Sequence, residues 1–142
     1  MRKILLILMT VLSFTLVGCS NGYNEDLNYA DFDTIVLDNF EEVENIIFNN
    51  ENRTIYIYVY DNSQESYGYM PYVLGYLDKK DVLSFKNPVI YLVNLNDASE
   101  LKDVYEFEKA PALLEFNGLE LVKTTIGGEK AYQAIKNIKT LK

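Results

Sequence analysis

The chain has 142 residues, with 13 basic and 21 acidic side chains, no His, no Trp and a single Cys. A net charge of −8 means repulsion from nucleic acid and from anionic lipid headgroups, so no nucleic acid is expected as a partner. Apolar residues make up 49% of the chain, enough for one buried core in a length too short for two ordinary domains.

In chain order, Arg2 and Lys3 form a short positive start, and residues 4–17, ILLILMTVLSFTLV, form an apolar stretch short of the ~20 residues that span a bilayer. The stretch ends in Leu16-Val17-Gly18-Cys19. Charged start, apolar core and small residues before a cut predict a secretion signal over residues 1–18. The Leu-x-Gly-Cys ending resembles the lipobox of bacterial lipoproteins. That resemblance implies a diacylglycerol thioether on Cys19, cleavage before it, palmitate-type acylation, and a lipid-anchored domain outside the cytoplasm. The competing reading is an uncleaved anchor with an ordinary cysteine. Two or more acyl chains suffice for stable anchoring. With Cys19 lipidated, the expected mature chain has no free thiol. Removing Arg2 and Lys3 also takes the basic side chains to 11 against 21 acidic ones, a net −10. Such a domain stands off the membrane.

Residues 19–32 carry the lipidation site and an acidic stretch, SNGYNEDLNYADF over 20–32, without hydrophobic period. They predict a flexible tether, with the folded domain over 33–142. Thr34-Ile-Val-Leu37 is a candidate short strand. Asp38 with Glu41 three residues on has the form of a helix cap, and Phe40, Val43, Ile46 and Ile47 share one face of the helix that follows. Thr54-Ile-Tyr-Ile-Tyr-Val-Tyr60 alternates β-branched residues with Tyr. Both faces are apolar or aromatic, which predicts a central strand covered on both sides.

Asp61-Asn62-Ser63 breaks that strand. Residues 64–79 follow as a helix with Tyr69, Met70, Val73, Leu74 and Leu77 as its buried stripe and Pro71 inside it. Residues 89–95, VIYLVNL, are a second apolar strand. A short helix over 98–105 has Leu101, Val104 and Tyr105 on its apolar side. PALLEF and LELVKTT flank Asn117-Gly118, a strong hairpin signal. Gly127-Gly128 leads to a last helix over 129–140. The order β-α-β-α-β-α-β-β-α predicts an α/β layer protein with a central mixed sheet flanked by helices.

From residue 33 onward this order resembles thioredoxin. Pro71 inside the second helix, Asn94-Leu-Asn-Asp97 closing the middle strand, and Lys109-Ala-Pro-Ala-Leu-Leu-Glu-Phe-Asn-Gly118 carry the resemblance. It implies a thioredoxin-like fold and a cis peptide bond at Pro111. It also implies that the family's C-x-x-C pair falls at Ser63 and Ser66, within Ser-Gln-Glu-Ser. Serine cannot attack a disulfide as a thiolate does. The family's tryptophan beside the motif falls at Asn62. Its proton-handling carboxylate and lysine fall at Ile57 and Leu92.

Ser63 and Ser66 therefore read as a helix cap and a first-turn residue rather than nucleophiles, since the chain offers no His as base. Tyr67 is the candidate surface contact, whereas Tyr69 and Tyr72 read as partly core. Asp61 and Glu65 read as a solvated rim. Ala110 and Pro111 mark an edge that, by the resemblance, pairs with an extended peptide; the competing reading is a retained fold element. No cofactor and no metal are expected. The leading expectation is a non-redox module of the cell envelope that binds protein or peptide. Its alternative is an extracytoplasmic thiol–disulfide oxidoreductase or an auxiliary to one, and a third reading is a spacer in a larger complex.

Overall fold

The structure, a computed structural model, describes residues 29–141. The expected signal segment and Cys19 lie outside the described residues. Five strands form one sheet in the order β1-β3-β2-β4-β5. Strands β1 (Val36–Leu37), β2 (Thr54–Tyr60) and β3 (Ile90–Asn94) run parallel; β4 (Ala112–Asn117) and β5 (Glu120–Ile126) close the sheet antiparallel. The helices are α1 (Phe40–Asn49), α2 (Gln64–Lys79), α3 (Leu101–Val104) and α4 (Gly128–Lys136). This is the mixed α/β architecture expected from the sequence.

The Ile/Tyr alternation places β2 at the middle of the sheet. Ile55, Ile57, Tyr58 and Val59 are fully buried, and Tyr56 and Tyr60 pack against the same core. On its neighbour, Ile90, Leu92 and Val93 are equally buried. Continuous burial of this kind marks a strand with both faces covered.

Chain order survives intact, and the differences lie at element ends. The domain begins earlier than residue 33. Tyr29–Phe32 is a 3-10 turn, and Phe32 is 1% exposed in the core, so the end of the expected tether is part of the fold. Asn39, not Asp38, caps α1: its backbone is extended and its side chain accepts the Glu42 N–H at 3.0 Å. The acid that reaches back is Glu42, accepting the Asp38 N–H at 2.7 Å. The expected helix over 98–105 contracts to Leu101–Val104, stopped at Glu106, whose φ is +52°. Val104 is exposed, while Tyr105 stands edge-on to Phe116 at 5.2 Å. The last helix stops at Lys136, and a 3-10 turn over Lys139–Leu141 buries Ile138 and Leu141 instead.

The hairpin turn also sits one residue later than Asn117-Gly118. Asn117 pairs with Glu120, so Gly118 and Leu119 form the loop. Gly118 comes first with φ +64°, as in a type II′ turn. A Cβ there would lie 2.6 Å from the Glu51 carbonyl oxygen, so the turn needs glycine for space as well as for φ.

Candidate functional site

The site is built where β2 hands over to α2. Asp61 follows the last strand residue and makes an Asx turn, its carboxylate accepting the Ser63 N–H at 2.9 Å. Ser63 is the N-cap of α2, and its Oγ accepts the Ser66 N–H at 3.2 Å. Ser66 is 1% exposed, and its Oγ accepts the Asp61 N–H at 3.1 Å. Both serine hydroxyls in turn donate to the Asp61 carboxylate. Burial works against the charge on Asp61. The hydrogen bonds from Ser63 and Ser66 and the field of Lys102 outweigh it, holding the carboxyl below its usual range. Each hydroxyl is thus both an acceptor and a donor within one closed ring.

Glu65 faces the other way. Its Oε1 accepts the Gly128 N–H at 2.7 Å, and its Oε2 lies 3.5 Å from Lys109 Nζ. It therefore ties the first turn of α2 both to the N-terminus of α4 and to the segment before β4. The Ala110–Pro111 peptide bond in that segment is cis, and the Pro111 carbonyl accepts the Gly127 N–H at 2.9 Å. Ala110 and Pro111 are both buried. Gly128 is required for close approach, since a Cβ would lie 2.1 Å from the Tyr69 ring. Asp61 and Glu65 thus keep solvent access, as a rim does, and also serve as structural partners.

The tyrosines separate. Tyr67 is 64% exposed beside the turn, as expected. Tyr72 is 59% exposed rather than partly core; it stands 6.2 Å from the Tyr69 ring and 5.9 Å from the Tyr132 ring. Tyr69 is half-buried and donates to Glu129 at 3.1 Å. That bond is the first cause of its raised pKa, so it stays a neutral phenol.

A cavity of about 240 Å³ opens next to Asp61, lined by Tyr60, Asp61, Asn62, Ser66, Tyr67, Met70 and Asn94. It lies at the C-terminal ends of the paired parallel strands β2 and β3, where Tyr60 is opposite Asn94. Crevices at strand carboxyl ends are where open α/β sheets bind ligands. Ile57 and Leu92 are both fully buried. Ile57 pairs with Tyr91 and Leu92 with Tyr58, so the two are diagonal neighbours packed among apolar side chains.

Sequence reasoning places Ser63, Ser66 and Tyr67 around one turn, and the structure brings them together. It misses the contributions of Lys109, Gly128 and Asn94. The Asp-x-Ser spacing of an Asx turn is the local signal that could have found the role of Asp61. No local signal announces the reach of Glu65 to Gly128.

No family model and no curated protein matches this sequence. Solved structures do. Fasciola hepatica thioredoxin is 16% identical with a TM-score of 0.59, over 75% of this chain and 98% of that one. A Schistosoma mansoni thioredoxin is 12% identical with a TM-score of 0.59, over 75% of this chain and 92% of the other. Mitochondrial thioredoxin 3 from Saccharomyces cerevisiae is 15% identical with a TM-score of 0.56, over 75% and 93%. At this level of identity the backbone path is what is shared, and the chain has the thioredoxin-like fold.

Proposed function

We propose that this protein is a lipid-anchored envelope lipoprotein whose thioredoxin-like domain binds a partner protein or extended peptide without thiol–disulfide chemistry. The observation that carries the reading is the ring of Asp61, Ser63 and Ser66. The two positions that the resemblance assigns to a redox pair hold hydroxyls, and both are occupied in bonding a carboxylate. A serine nucleophile needs a base to take its proton. Here each hydroxyl proton already faces a carboxylate that is held ionised and is a weak base for that reason. The sequence has one Cys, Cys19, and the lipobox resemblance assigns it to the anchor. Exposed Tyr67 supplies the kind of amphipathic ring that recurs at binding surfaces. Ala110, being buried, would contribute backbone rather than side chain to such a contact, while Pro111, with no N–H and its carbonyl bonded to Gly127, would shape the edge.

Dithiothreitol-driven insulin reduction by the full chain in detergent tests the reading. The expected rate equals the protein-free blank; turnover above it would support the oxidoreductase alternative and end the non-redox reading. Crosslinking in cells should then capture one recurrent envelope partner near residue 67.

A further inference from the structure

We propose that the cavity beside Asp61 is a binding site for an arginine side chain of the partner. This rests on reading the domain as a peptide-binding module and names what its site recognises. A carboxylate offers about four acceptor positions. The Ser63 N–H takes one at 2.9 Å, and the Ser63 and Ser66 side chains also act on the carboxylate without filling it. The same residue lines the cavity, so a remaining position is available there to a ligand donor.

Charge balance favours a cation. Among the described residues the only ion pair within 4.0 Å joins Lys109 to Glu65, so Asp61 has no cation in contact. Lys102 acts on it from farther away. The N-terminus of α2 contributes about half a positive charge, which offsets only part of a full carboxylate. The whole chain is strongly acidic, which steers basic segments toward it.

Shape and lining favour a guanidinium over other cations. At about 240 Å³ the cavity is below the roughly 300–1,000 Å³ of sites for drug-sized ligands, and so suits a single side chain. Tyr67 supplies an exposed ring for stacking, Asn62 supplies an amide acceptor, Asn94 keeps the second lone pair of the amide oxygen that accepts the Asn96 N–H, and Met70 offers apolar contact for the stem. A hard metal ion needs six or more oxygens. No group of three or more His, Cys, Asp or Glu that could hold one occurs among the described residues.

The test is an NMR titration of the full chain in detergent with N-acetyl-arginine amide, and with N-acetyl-citrulline amide as the uncharged isostere. The expected result is saturable shifts at Asp61, Asn62, Tyr67 and Asn94, with citrulline weaker by about tenfold or more, the ratio worth one charge-assisted hydrogen bond. Asp61→Asn keeps an acceptor for the Ser63 N–H and should weaken arginine binding by the same factor. Tyr67→Ala, at an exposed position that does not threaten folding, should weaken it about threefold. Absence of saturation with arginine, equal binding of citrulline, or unchanged binding after either substitution would overturn the proposal. Insulin reduction reads the non-redox function separately. A domain that is silent there and does not bind arginine loses this inference alone.

Discussion

The N-termini of α1 and α2 are made from the same parts and do different things. Each has a short polar cap, Asn39 or Ser63, accepting a backbone N–H three residues on. Each has acids close by. At α1 the acid turns inward on its own chain, Glu42 bonding the N–H of Asp38 four residues back. The whole arrangement is local and serves the helix. At α2 the cap is equally local, but one acid is shared out over the fold. Asp61 holds both serines, and Glu65 reaches residues 63 positions away at Gly128 and 44 away at Lys109. The same local chemistry therefore serves one helix at one place and ties several elements together at the other. What separates them is whether neighbouring elements lie within reach.

That contrast can be broken, starting where the effect is largest. Ser66→Ala removes a buried hydroxyl that accepts the Asp61 N–H and donates to its carboxylate. It should cost about 1–3 kcal/mol in denaturant unfolding, the usual cost of leaving buried polar groups unpaired. Ser63→Ala should cost more than Asn39→Ala, which as a purely local cap should lose about 1 kcal/mol. Equal losses at the two caps would mean that the bond from Ser63 to Asp61 contributes nothing. Glu65→Gln keeps an acceptor for the Gly128 N–H but loses the attraction to Lys109. Because that pair is largely exposed, the loss should stay below about 1 kcal/mol. A larger loss would show that Glu65 holds the gap between α2 and α4 closed.

The smallest effect is in pH. Asp61 has a lowered pKa in the folded state, so its contribution is complete above the unfolded value of about 3.9 and fades as pH falls through the folded value. Thermal unfolding below about pH 4 should therefore steepen in the wild type and be shallower in Asp61→Asn. Identical acid limbs would place Asp61 outside the ring described for it.

Much of this was legible in the residues. The Ile/Tyr alternation of 54–60 marked a central strand because period 2 with both faces apolar has few other solutions. The stripe Met70, Val73, Leu74 and Leu77 was legible for the matching reason at period 3.6. Tyr72 misled because a tyrosine on an amphipathic helix is apolar enough to suit the core and polar enough to leave it. The neighbour that decides its place, Tyr132, is 60 residues away. The caps were readable only to within a residue, since Asp38 and Asn39 are both competent and only the path of the chain into Phe40 chooses between them.

By itself, then, the sequence determined the order of elements, the hydroxyls where the resemblance puts thiols, and the hairpin. These depend on spacing, side-chain type and backbone preference over a few residues. Tertiary structure alone decided that Phe32 belongs to the core, that Glu65 ties α2 to α4, and that Asp61 shares a cavity with Asn94. Each of these depends on groups far apart in the chain being packed together, and local preference carries no information about that distance.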